Sequence, residues 1–260
     1  MIGIFDSGVG GMTVARAVET LLPEYQIIYY GDLARTPYGS KSSEAIIQYS
    51  IDNTEFLLGH GARVIIIACN SAASVASDIL RQKFDVPIFE VITPAVERAV
   101  ASSVIGNIGI IGTRATIRSG IYEQKIKQQE PGFRVFSEAC PLLVPLVEEG
   151  WIDKRETKMI LRKYLTPLKQ KQIDTLVLGC THYPLLKDSI QHRMGKNRTR
   201  LVDSSIEVAL TLQKYLDENP VVAETLQHGN VNKYFVSDLT KAAVATAEKI
   251  FGRHIDLEKV

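Results

Sequence analysis

Short aliphatic runs separated by longer amphipathic stretches constrain this chain more than any other feature. Val64-Ile-Ile-Ile-Ala68 is continuously apolar and rich in β-branched residues. Such a run reads as a strand covered on both faces, because a strand with one wet face would alternate. Met1–Phe5, Gln26–Tyr30, Pro87–Val91, Asn107–Ile111, Arg134–Ser137 and Thr175–Leu178 read as further strands. Between them, Thr13–Leu22, Ser42–Gly59 and Lys154–Leu168 carry apolar residues at helical spacing. Toward the end, Ser205–Asn219 reads as a helix capped by Ser204 or Ser205, and Asp238–Phe251 as one closed by Gly252. Strands alternating with helices imply parallel sheets covered by helices, so the fold class is α/β.

The chain has 260 residues, with 30 Lys plus Arg against 29 Asp plus Glu, for a formal charge of +1. That balance gives no electrostatic footprint for nucleic acid or an anionic membrane, and neither partner is expected. The longest apolar runs, such as Val64–Cys69, fall far short of the roughly 18 residues of a membrane span. Met1–Asp6 lacks the basic region and small-residue cleavage site of a signal peptide. Cys69, Cys140 and Cys180 form an odd set without close spacing, so reduced thiols in the cytoplasm are expected.

An internal similarity sharpens this. Val64-Ile-Ile-Ile-Ala-Cys69-Asn-Ser71 matches Thr175-Leu-Val-Leu-Gly-Cys180-Thr-His182, and Gly3-Ile-Phe-Asp6-Ser-Gly8 parallels Gly109-Ile-Ile-Gly-Thr113. The separations agree: 63 residues from Asp6 to Cys69 and 67 from Thr113 to Cys180. Two related α/β halves, each presenting a cysteine at the C-terminal end of a strand, account for the pattern, and ligands bind at that edge. The expected division is 1–92 plus 204–260 for one domain and 93–203 for the other.

Phe5-Asp-Ser-Gly-Val-Gly-Gly11 lies between a strand and a helix. Gly8, Gly10 and a downstream Asp32 suggest a dinucleotide site. Thr13 stands where a third small residue belongs, however, and Asp6 would set a carboxylate beside the pyrophosphate. No Gly-Lys-Ser/Thr follows, which excludes a Walker loop. Two readings remain open, backbone N–H groups offered to a small anion or a tight turn with Asp6 as helix cap. Cys69 and Cys180 each precede a helix start, where a thiol's pKa falls and it becomes a usable base or nucleophile; either could instead be a small buried hydrophobe. Cys140 lacks that setting and reads as core. Cys180-x-His182 has no second pair at zinc spacing, so no metal is expected. Arg193–Arg200 reads as a solvated loop.

Five motifs in order resemble the glutamate racemases of the aspartate/glutamate racemase family. They are Asp6-Ser-Gly-Val-Gly-Gly, Tyr30-Gly-Asp-Leu-Ala-Arg-Thr-Pro-Tyr-Gly-Ser-Lys41, Ala68-Cys-Asn-Ser-Ala-Ala-Ser74, Cys140-Pro-Leu-Leu-Val-Pro-Leu-Val-Glu-Glu-Gly150 and Leu178-Gly-Cys-Thr-His-Tyr-Pro-Leu185. The likeness spans essentially the whole chain; Ser71 departs from a common Thr, and Leu33 and Thr36 from frequent choices. It implies cofactor-independent racemisation of glutamate, supplying D-glutamate for peptidoglycan, by two α/β domains with the site between them, in a homodimer. It implies Cys69 and Cys180 as the acid/base pair on opposite faces of the α-carbon, with Asp6 and His182 assisting. Glu148 is the further acidic helper, with Glu149 left open by spacing. Ser7, Pro37, Tyr38, Gly39, Asn70, Ser71, Thr113, Thr116 and Thr181, with Asp6 and His182, are implied as substrate contacts. DNA gyrase enters as a partner by the resemblance alone, without support from the near-neutral charge. Rival readings are aspartate racemase, a non-catalytic binding scaffold and a single-cysteine hydrolase.

Overall fold

The computed structural model describes residues 1–229 and 231–260. Its strands are β1 (Ile2–Asp6), β2 (Ile27–Gly31), β3 (Val64–Ile67), β4 (Ile88–Glu90), β5 (Asn107–Gly112), β6 (Arg134–Ala139), β7 (Thr175–Gly179), β8 (Arg200–Asp203), β9 (Lys233–Val236) and β10 (Leu257–Lys259). They form a six-stranded sheet in the order β10-β9-β2-β1-β3-β4 and a four-stranded sheet in the order β6-β5-β7-β8. Among the described residues every pairing between these strands is parallel. The protein is an α/β fold with two parallel sheets.

The internal similarity reappears as topology. The order β2-β1-β3-β4 in one sheet is repeated as β6-β5-β7-β8 in the other. In each, the chain leaves the first strand to one side and returns on the other, so a crevice opens beyond the C-terminal ends of β1 and β3, and of β5 and β7. Ligands of doubly wound sheets occupy such crevices. Asp6 ends β1, Cys69 lies two residues past β3, Thr113 follows β5 and Cys180 follows β7.

The aliphatic runs are buried as their continuity requires. β1, β2, β3, β5 and β7 have every residue buried. Each large aliphatic side chain so removed from water contributes about 1.5–3 kcal/mol. One core, under the six-stranded sheet, reaches Ile108, Ile110 and Val177 of the smaller sheet. A second gathers Leu143, Leu161, Leu165 and Leu178 around Cys140 and Cys180. Cys140 is fully buried there, as expected of a core residue.

Several local expectations are corrected. The helix Ser204–Glu218 is capped by Asp203, whose carboxylate accepts the Ser205 N–H at 3.1 Å, rather than by Ser204 or Ser205. The last helix runs Lys241–Phe251, capped by Thr240, whose hydroxyl accepts the Ala243 N–H at 3.1 Å. Arg193–Arg200 is not one solvated loop. Arg193 lies in the helix Lys187–Met194 and donates to Thr166 Oγ1 at 2.9 Å, while Arg200 opens β8.

Candidate active site

Strand C-termini carry the key side chains because both sheets point the same edge at one cleft. The cleft is nearly closed, a cavity of about 20 Å³, and is walled by Ser7, Thr36–Gly39, Cys69–Ser71, Thr113, Val144 and Cys180–His182. All the expected substrate contacts lie on this wall except Asp6 and Thr116, which stand behind it. Thr36 and Val144 also line it. In the sequence Thr36 stands out only as a departure from frequent choices, and Val144 carries no signal beyond its place between two prolines.

The glycine turn is shaped by a carboxylate from its own strand. Asp6 is fully buried, and its Oδ2 accepts the Gly8 N–H at 3.0 Å while Thr181 Oγ1 donates to Oδ1 at 3.3 Å. The Gly11 N–H is a further backbone donor to it. The turn therefore offers its N–H groups to an anion, as one reading had it, but that anion is Asp6; the helix Met12–Leu21 that follows has no side-chain cap bond. Gly10 is required for proximity: a Cβ there would stand 2.4 Å from His182 Nδ1 and 2.7 Å from Thr181 Oγ1. Across the cleft, a Cβ at Gly39 would meet Thr113 Cβ at 2.6 Å. Asp32 is not free for a ribose, since it takes bonds from Tyr38 OH, from Arg35 Nε at 2.5 Å and from Ser237 Oγ at 3.0 Å.

Each thiol has its own companions. Cys69 forms the N-cap of the helix Asn70–Lys83, and its thiol donates to Ser7 Oγ at 3.6 Å. A helix N-terminus was expected to lower its pKa. The Ala72 N–H does pull that way, but burial and then the Asp6 charge outweigh it, and the thiol is pushed up to about 12. Cys180 precedes only the short 3-10 turn Tyr183–Leu186 rather than an α-helix. Its sulfur lies 3.9 Å from His182 Nδ1.

His182 is buried, and its Nε2 lies 3.0 Å from Glu148 Oε1. Burial works against the charged ring, yet the hydrogen bonds to Cys180 and Glu148 carry its pKa up to about 10. The imidazole is therefore protonated at neutral pH. Glu148 ends the helix Leu143–Glu148, and Glu149 is exposed, so of the two acids Glu148 is the one that reaches His182. Asp6 is raised, foremost by burial, with the His182 charge and backbone donors opposing.

Hydroxyls and an amide complete the wall. Ser71 Oγ, Thr113 Oγ1 and Thr116 Oγ1 share hydrogen bonds of 2.8, 3.1 and 3.4 Å. Asn70 Oδ1 accepts from Tyr122 OH at 2.7 Å, whereas its buried Nδ2 has no partner. Among the described residues, no group of three His, Cys, Asp or Glu side chains is placed to hold a metal ion, and no helix is long and apolar enough to cross a membrane.

The pattern of Asp/Glu/Hydantoin racemase matches residues 12–210, three quarters of the chain. The chain belongs to the Asp/Glu/hydantoin racemase family. Within it, the chain is 45% identical over 260 residues to a glutamate racemase of Persephonella marina, covering 100% of this chain and 96% of the relative. Among solved structures, a glutamate racemase isoform of Bacillus anthracis superposes with a TM-score of 0.93 at 34% identity, over 100% of this chain and 97% of that one. A glutamate racemase of Francisella tularensis, crystallised with D-glutamate, gives 0.91 at 33% identity, over 100% and 96%.

Proposed function

We propose that this protein interconverts L- and D-glutamate, using Cys69 and Cys180 as two bases and no cofactor. The observation that carries the reading is that both thiols wall one cleft, each 5% exposed, each at the C-terminal crevice of its own sheet. Inverting a stereocentre through a planar intermediate needs one group to take the α-proton and another to return it on the opposite face. Two facing halves, 1–92 plus 204–260 and 93–203 on this reading, supply one group each.

The α-proton is weakly acidic, so the cleft must stabilise the charge that develops when it leaves. Ser71, Thr113 and Thr181 offer hydroxyls and Asn70 an amide to the substrate carboxylates. These neutral donors, held in place before the reaction, hold an anion by hydrogen bonds alone. Protonated His182 sets a positive charge beside the Cys180 sulfur, with Glu148 behind it. Cys69 is held as a thiol in the substrate-free cleft. For one enantiomer Cys180 takes the α-proton while the Cys69 thiol gives one up; that turnover leaves the proton on Cys180 and not on Cys69, the state from which the other enantiomer is converted in reverse. On this reading the enzyme works in the cytoplasm, as a homodimer, and feeds D-glutamate to peptidoglycan.

Polarimetry of purified protein with L-glutamate and then D-glutamate, without additives, is the test. Decay of rotation to zero from both sides supports the reading. Turnover of aspartate in preference to glutamate, or of neither, overturns it.

A further inference from the structure

Asn70 holds an asymmetry that the proposed chemistry does not account for. Its side chain is 2% exposed and lines the cleft, its Oδ1 is engaged, and its Nδ2 has no partner. A buried amide with unmade bonds costs free energy unless a ligand completes it, and an amide that flips would turn an acceptor oxygen toward the substrate carboxylates. What sets the direction is Tyr122, whose OH donates to Oδ1 at 2.7 Å. Tyr122 stands on the helix Ile121–Gln129 that follows the four-stranded sheet's β5, whereas Asn70 opens the helix after β3 of the other sheet. Its ring is held in turn: Tyr122 is 3% exposed, and its Cε2 stands 3.4 Å from the position a Cβ would take at Gly179, the residue before Cys180. One tyrosine thus bonds the residue after Cys69 and fills the space a side chain would need at the residue before Cys180.

The geometry points to Tyr122 as a positioning residue that aims the Asn70 amide N–H groups into the cleft, where they hold a carboxylate of the substrate. This rests on the racemase reading above. Tyr122 acts only through Asn70, and the carboxylate assigned to Asn70 is the side-chain one, remote from the α-carbon, which gains no charge in the transition state, so its loss is read in KM for both enantiomers rather than in kcat.

The test is Tyr122→Phe, which keeps the ring against Gly179 and removes one hydroxyl, compared with Asn70→Ala and with the double variant. Tyr122→Phe raises KM for L- and D-glutamate by about three- to tenfold, the worth of a net hydrogen bond, while kcat stays within about twofold. The thermal midpoint falls by about 2–4 °C at most, as for one lost bond in a chain of this size. In the Asn70→Ala background the same change leaves KM unmoved, because the partner is already gone. An unchanged KM in Tyr122→Phe, or effects that simply add in the double variant, overturns the positioning role while a racemising wild type leaves the enzyme reading intact. A wild type inactive on both enantiomers overturns the two together.

Discussion

The two thiols face the cleft from unlike electrostatic settings, and the difference is testable one residue at a time. Cys69 has a carboxylate, Asp6, as its charged neighbour; Cys180 has an imidazolium, His182. Cys69→Ser and Cys180→Ser are each expected to cut kcat in both directions by about 10²–10⁴-fold or more, the range for losing a general acid or base. Both should keep the wild-type circular dichroism spectrum, since serine fits the space; full activity in either variant would remove the two-base mechanism. The His182 ring also makes a pH statement. Its folded pKa of about 10 lies above the ordinary 6.5, so the stability it contributes is complete below 6.5 and is lost as pH rises through about 10. Asp6 and Cys69, raised mainly by burial, act in the same direction, favouring the folded state at lower pH. Glu148→Gln removes a carboxylate that favours the charged ring. The His182 titration, followed by NMR, is expected to move to lower pH, and the alkaline loss of thermal stability with it; an unmoved titration would show that Glu148 does not hold the proton there.

Elements bring these groups together by close approach, and the turn after β1 is the tightest case. Gly10→Ala would drive a Cβ to 2.4 Å from the His182 ring, which is buried and pinned by Glu148 and cannot step aside freely. Overpacking of this kind costs about 1–3 kcal/mol. Calorimetry is expected to show that loss, together with reduced turnover, whereas Gly132→Ala, where nothing lies within 4 Å, serves as the quiet control. The same elements show what a sequence can and cannot announce. β1, β3, β5 and β7 were legible because each is a run of aliphatic residues buried on both faces, and the cysteines at two of their ends marked the cleft. β8, β9 and β10 were not: each begins or ends in exposed charged residues such as Arg200, Lys233 and Lys259, and their pairing is set by tertiary contact. The helix Ile92–Ser102 escaped notice because its N-terminus is satisfied from outside, by Glu90 accepting the Ile92 N–H at 2.5 Å. The glycine turn left two readings open, and a motif cannot say whether its N–H groups serve a ligand or the chain's own Asp6, which takes the Gly8 N–H here. Likewise the helix-start argument for a lowered Cys69 pKa was locally sound and lost to burial, which no neighbouring residue reveals.

At the scale of the molecule, two sheets share one cleft, and contacts cross it from both sides. Thr13 Oγ1 reaches the Thr181 carbonyl at 3.1 Å, Ser71 meets Thr113, and Tyr122 meets Asn70. On the racemase reading, with both thiols 5% exposed, substrate enters only if the walls of the cleft part. Among the described residues the chain passes between the sheets after β4 and after β8, and the core that reaches Ile108, Ile110 and Val177 of the smaller sheet resists the opening. Such an arrangement predicts three cysteines of two kinds toward iodoacetamide. In the native protein Cys69 and Cys180 should be alkylated slowly, at a rate set by opening and, for Cys69, rising with pH because only the thiolate reacts. Glutamate of either hand should slow both, by filling the cleft and holding it shut. Cys140, exposed neither to solvent nor to the cleft and packed among Leu143, Leu161 and Tyr183, should stay unmodified until the protein is denatured. Mass spectrometry of digests taken through the reaction separates the three. Equal labelling of Cys140 in the native state would mean that the second core opens along with the cleft, and protection of one thiol without the other would mean that they do not face the same bound molecule.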